Sequence, residues 1–226
     1  MTRAVPAWIV VLLAASLAAQ VGWHAALGPP RTADDGLPPA PSARALRLAA
    51  FGEAEAASRL CMLYLQAFDV HGLDYARLAA WLRALLELDP RGQSPLFAAA
   101  RLYAEHPDPA RSRLMLELIH EQFRLDPDRR WPWLAHAALL AKHRLKDLAL
   151  ARRYAAAIDR HTAAAEVPLW AKQMEIFILE DMNELEAARI MLGGLLASGR
   201  ITDPAELSFL KQRLEELEAR AAQKPR

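Results

Sequence analysis

From Ser42 to the C-terminus, apolar residues recur at intervals of three and four, with almost no alternation of period two. That spacing predicts helices, not strands. The breaks between apolar stretches place helices over about 43–51, 53–69, 74–88, 95–105, 109–125, 132–144, 146–161, 168–181 and 184–198. A last helix starts at Asp203-Pro204-x-Glu206, which resembles a capping box. Its Leu207, Leu210, Leu214 and Leu217 form one narrow stripe among Lys211, Arg213, Glu215, Glu216 and Glu218. One apolar face and one wet face suit a helix that closes the end of a stack.

Ahead of this body the pattern changes. Residues 4–27 form a run of 24 positions in which only Ser16, Gln20 and His24 are polar. A membrane-crossing helix needs roughly 20 such residues. Trp8 and Trp23 stand near the two ends, where indole rings favour the membrane interface. The expectation is an uncleaved single-pass anchor over residues 1–27. The alternative is a signal peptide with Ser16-Leu17-Ala18 as its small-x-small cleavage site. Residues 28–42 are proline-rich (Gly28-Pro29-Pro30 and Leu37-Pro38-Pro39-Ala40-Pro41) and are expected to form an extended linker or a disordered tail. The helical domain is expected over residues 43–226. With a short N-terminal tail before the apolar run, the expected placement is the inner membrane of a bacterial-type envelope, with the domain on the periplasmic side.

Within the domain one helix start recurs. Pro95-Leu96-Phe97-Ala98, Pro132-Trp133-Leu134-Ala135 and Pro168-Leu169-Trp170-Ala171 follow one another at spacings of 37 and 36 residues. Proline suits the first helical position, where its missing N–H would have no partner anyway. The second helices also match, with starts at Asp74-Tyr75-Ala76-Arg77, Asp108-Pro109-Ala110-Arg111, Asp147 before Ala151-Arg152, and Asn183 before Ala188-Arg189. Asp and Asn are read there as N-caps. Leu88-Asp89-Pro90 and Leu125-Asp126-Pro127 are read as terminators of second helices.

A helix pair repeating every 36–37 residues is the signature of a solenoid, because one pair cannot bury its own apolar face. Over about residues 58–199 the chain resembles the tetratricopeptide-repeat family, with Asp74-Tyr75 and Leu88-Asp89-Pro90 in the places of that family's second helix and closing proline. The resemblance implies an all-α fold: a TPR-like α-solenoid of antiparallel helix pairs, a C-terminal capping helix, and first helices lining the binding surface. The family's usual repeat is about 34 residues, and its small glycine is replaced here by alanines such as Ala99, Ala137 and Ala138.

Composition narrows the function. The 28 basic residues are matched by 27 acidic ones, so the basic excess expected of a nucleic-acid binder is missing. Cys61 is the only cysteine and reads as a small core residue. His120-Glu121-x-x-Arg124 has the start of a zinc-protease motif but not its second histidine. Leu192-Gly193-Gly194-Leu195 lacks the lysine of a phosphate loop, and its glycines read as a point of close helix contact. The expectation is a protein that is not an enzyme, with no catalytic residues, no cofactor, no metal and no small-molecule substrate.

The densest functional signal is Arg129-Arg130-Trp131-Pro132-Trp133-Leu134-Ala135-His136, followed by Lys142-His143-Arg144. Helical spacing aligns Trp133, His136, Leu140 and His143. Together with Arg130 these are the candidate partner-binding residues, a groove with aromatic anchors and titratable side chains for a peptide or an acidic protein. The plainer reading makes both tryptophans core residues and leaves the charges on a wet face. The functional expectation is a membrane-anchored protein–protein interaction scaffold of the bacterial envelope. The alternative is a noncatalytic subunit or assembly factor of a membrane complex.

Overall fold

The structure, a computed structural model, describes residues 7–27, 36–163, 167–199 and 201–223. Among these residues the chain is all-helical, with eleven α-helices, one π-helical turn and no strand. The helices are α1 (Ala7–Leu27), α2 (Ala43–Ala49), α3 (Ala54–Gln66), α4 (Tyr75–Leu88), α5 (Ser94–Ala98), α6 (Pro109–Phe123), α7 (Pro127–His143), α8 (Leu148–His161), α9 (Leu169–Asp181), α10 (Leu185–Ala197) and α11 (Pro204–Gln223). The π-turn, Ala99–Tyr103, continues α5 directly.

Most starts follow from local chemistry. Asp74 accepts hydrogen bonds from the Ala76 and Arg77 N–H groups at 2.9 and 3.3 Å, Asp108 from Ala110 at 2.9 Å, and Asp147 from Leu150 at 2.9 Å. Asp203 accepts from Ala205 at 2.7 Å and Glu206 at 3.3 Å. The reciprocal half of a capping box is absent there, because the Glu206 carboxylate accepts from the Gln173 side chain instead. Asn183 is not a cap. It sits at φ 59°, the left-handed conformation that ends α9, and Glu184 takes the cap position of α10.

The three proline starts are not equivalent. Pro95 lies in the first turn of α5, Pro168 precedes α9 as its cap residue, and Pro132 lies inside α7. Helix α7 begins at Pro127, so Leu125-Asp126-Pro127 opens a first helix where a terminator was expected. Proline at 127 costs no hydrogen bond in a first turn. The second helices start at Tyr75, Pro109, Leu148 and Leu185, steps of 34, 39 and 37 residues, so the period is less regular than 36–37.

Each helix from α2 onward packs on its chain neighbours, with α4 reaching across to α6. A large core runs from Leu37 through Leu78, Leu82, Tyr103, Phe123 and Tyr154 to Ile178. A smaller one joins Leu179, Leu185, Leu192, Leu210 and Leu217 where α9 and α10 meet α11. Leu210 and Leu217 are buried and Leu207 and Leu214 half-buried, as the stripe on α11 requires. Two arginines of that helix, Arg213 and Arg220, reach the buried Glu180 carboxylate of α9.

Arginine clasps recur along the body. Arg77 donates to the Leu37 carbonyl (3.0 Å) and Arg111 to the His71 carbonyl (2.7 Å), each 40 residues back. Arg144 donates to the Glu105 carbonyl, 39 residues back. Leu37 therefore occupies the place that His71 holds one helix pair later. The segment 36–41 is docked, not a free spacer, since Leu37 is fully buried and Trp81 Nε1 donates to the Pro38 carbonyl at 2.8 Å. The helical body thus begins before residue 43, while residues 28–35 of the expected linker lie outside the described residues.

Helix α1 covers 21 of the 24 positions of the apolar run, and residues 4–6 lie outside the described residues. Among the described residues no helix is long and apolar enough to cross a membrane. The expected transmembrane span is therefore not seen as such. What is seen is a helix without Asp, Glu, Lys or Arg, polar only at Ser16, Gln20 and His24, whose Trp8, Val11, Leu13, Leu17, Val21 and Trp23 are each 60–66% exposed.

Candidate functional site

An open groove of about 630 Å³ runs between α3, α5 with its π-turn, and α7. Its floor and walls are apolar: Met62 and Leu63 from α3, Phe97 and Ala98 from α5, Leu102 from the π-turn, and Trp133 from α7. Arg59, Gln66, Gln93 and Ser94 form a polar rim. Met62 is buried, whereas Leu63, Phe97 and Leu102 remain 62%, 49% and 46% exposed. The Trp133 ring meets Phe97 edge-on at 6.0 Å, and its Nε1 donates to Gln93 Oε1 at 2.5 Å. That bond, with the ring contact, holds the indole as one wall of the groove.

The groove is a product of first helices. Phe97 and Trp133 come from the recurring Pro-x-x-Ala stretches, and their side chains line one space although their prolines occupy different helical positions. The π-turn inserts an extra residue per turn just after Phe97, with Ala104 N–H bonding Ala99 O at 2.8 Å.

Of the five candidate residues, Trp133 lines the groove. His136 lies one turn further along α7 and is half-buried. Its Nε2 is buried and has no hydrogen-bond partner among the described residues. Burial, then the nearby Arg101 guanidinium, holds the His136 ring below the usual histidine range, while Glu105 and the Ala100 carbonyl oppose that shift. Leu140 is half-buried against the main core, and His143 is exposed at the end of α7.

Arg130 is not available to a partner. It is 3% exposed, and its guanidinium donates to the Gln122 carbonyl (2.8 Å), Gln122 Oε1 (3.1 Å) and the Pro90 carbonyl (3.0 Å). It ties the start of α7 to the ends of α4 and α6. Burial lowers its pKa, with Asp126 opposing that shift. Trp131 also turns away from the groove and meets Trp170 edge-on at 5.5 Å. Arg130 thus lies neither in the groove nor on a wet face, and Leu140 packs partly against the core.

Sequence reasoning missed Met62, Leu63 and Leu102. Leu63 and Leu102 belong to the apolar complement of their helices, and only the neighbouring helices show that they are left uncovered. The Gly193-Gly194 pair does not mark a close approach, since a Cβ added at either position meets no atom within 4 Å. His120 and Glu121 part company: Glu121 is held bidentately by Arg83, and His120 lies 5.2 Å from the Tyr154 ring. Among the described residues no three acidic, histidine or cysteine side chains are grouped to hold a metal.

No protein-family model matches the chain, and no curated protein or solved structure matches it.

Proposed function

We propose that this protein is a noncatalytic interaction module of the bacterial envelope. Helix α1 holds the chain in the inner membrane, and a periplasmic solenoid of TPR-like helix pairs takes a segment of a partner protein into the Phe97–Trp133 groove. The observation that carries this reading is the groove itself, where three apolar side chains of different helices stand about half exposed beside a braced indole. Apolar anchors entering such a groove are the usual core of peptide recognition. The arginine clasps, which recur one helix pair apart, support the repeat reading. The uncharged, mostly apolar and exposed surface of α1 supports burial in lipid, since a patch of that size is otherwise an aggregation hazard. No cofactor, metal or small-molecule substrate enters this account.

The test is purification in mild detergent of the wild-type chain and of Leu63→Lys. Leu63 is 62% exposed, so the substitution leaves the packing intact. The expected result is loss of the co-purifying protein with unchanged helicity and melting temperature. Retention of the same protein at wild-type yield would overturn the reading. Constant stoichiometry through purification would identify a permanent subunit of a complex, and substoichiometric recovery a transient scaffold.

A further inference from the structure

Helices α8, α9 and α10 enclose a recess of about 200 Å³ that shares no residue with the Phe97–Trp133 groove. Leu169, Lys172 and Ile176 line it from one face of α9, and Met191, Gly194 and Leu195 from one face of α10. Ile176 is buried, and Leu169, Met191 and Leu195 are half-buried. The α10 face thus has a glycine between two apolar side chains. A Cβ at Gly194 would meet no atom within 4 Å, so close packing does not require the glycine. In a helix interior glycine costs backbone entropy that alanine does not. What its missing side chain leaves is room in the recess.

Two charges of opposite sign complete the lining, and they do not pair with each other. Among the described residues Asp159 of α8 makes no hydrogen bond or ion pair. It lies in the last turn of α8, the negative end of that helix, which disfavours a carboxylate and favours a cation beside it. Lys172 gives one hydrogen bond to the Thr162 carbonyl at 3.3 Å, and its ammonium group carries two further donors.

We infer that this recess binds a free amino acid with an aliphatic or aromatic side chain. The side chain enters between α9 and α10 over Gly194, the ligand's ammonium group meets Asp159, and its carboxylate meets Lys172. The size fits, because a cavity of about 150 Å³ already holds a benzene ring. The two unpaired charges select a ligand that carries both signs on one carbon, whereas either end of a peptide presents only one of them. The site stands apart from the groove and from the membrane reading of α1, and its ligand is a small molecule that the sequence did not lead one to expect.

The experiment uses the full chain in phospholipid nanodiscs, with isotope-labelled methionine and isoleucine methyl groups read by NMR. It is titrated with L-phenylalanine, L-leucine, N-acetyl-L-phenylalanine and L-phenylalaninamide. The expected result is a saturable shift of the Met191 and Ile176 methyl signals with both free amino acids, and severalfold weaker binding of the two blocked forms. Asp159→Asn should remove the advantage of L-phenylalanine over its N-acetyl form. Gly194→Leu should abolish the shifts with helicity unchanged, since its side chain fills the recess. No saturable shift, or equal binding of the free and both blocked forms, would overturn the inference. So would wild-type affinity in a folded Gly194→Leu chain. If that variant loses helicity, Asp159→Asn decides: a preference for the free amine that survives the substitution overturns the assignment.

Discussion

At the scale of single residues, the roles divide by whether a side chain ends on solvent or on a distant carbonyl. Arg130 illustrates the second case. Replacing it with Ala removes the ties to the Pro90 and Gln122 carbonyls and takes the donor from the buried Gln122 Oε1. The expected cost is about 2–4 kcal/mol, read as a lower denaturant midpoint, because removing one partner leaves buried acceptors unsatisfied. The sequence shows Arg130 as one more cation beside Arg129 and cannot show its acceptor, since a carbonyl 40 residues away carries no residue-type signal. The Asp74, Asp108 and Asp147 caps were legible because a cap acts on its own next turn. The glycines of α10 give an opposite prediction. Gly193→Ala and Gly194→Ala should each raise stability by about 0.5–1 kcal/mol, since alanine costs less backbone entropy in a helix and the added methyl meets no neighbour.

Histidines set a pH dependence at the same scale. His106, His120 and His136 all lie below the ordinary histidine range, each chiefly through desolvation, with Arg111, Arg153 and Arg101 respectively adding to it. His106 Nδ1 also accepts from the Asp108 N–H at 3.0 Å, a bond available only to the unprotonated nitrogen. A histidine with a lowered folded-state pKa binds its proton more readily when unfolded. Its contribution to stability is complete above the unfolded value of about 6.5 and is lost as pH falls through the folded value. Denaturant midpoints should therefore fall steadily from pH 7 to pH 5. A midpoint that is flat or rises toward acid would contradict these three environments.

At the scale of elements, helix existence and type were readable almost throughout, because the apolar spacing is long and sustained. Positions were misread where proline was treated as a fixed marker. Pro127 and Pro132 fall in one helix, and the first turn of α7 tolerates Pro127 at no cost. The π-turn at Ala99–Tyr103 left no sequence signal, since the same residues satisfy an α-helical pattern. The docked segment was hidden for a related reason. Leu37 sits in a stretch whose prolines suggest a linker, yet its side chain is buried and its carbonyl takes the place of a preceding repeat. Leu37→Ala should cost about 2–5 kcal/mol, the usual range for a fully buried leucine, measured by chemical denaturation. A chain beginning at Ser42 should be destabilised at least as much, having lost Leu37 and the acceptor of Trp81 together.

At the scale of the whole molecule, the helical body closes one end with residues 36–41 and the other with α11, and leaves an open apolar groove between them. Trp133, which the sequence singled out on α7, forms one wall of that groove. The contribution of Met62, Leu63 and Leu102 depends on how three helices are spaced, which no local pattern encodes. The central claim is that this groove receives a protein partner. It is tested most directly by placing a photo-crosslinking amino acid at Leu63, inside the groove, and separately at Ile190, an apolar residue 61% exposed on α10. Irradiation of intact membranes should give one discrete adduct from position 63 and none of that size from position 190. An adduct of equal yield from both positions, or none from position 63, would contradict the account.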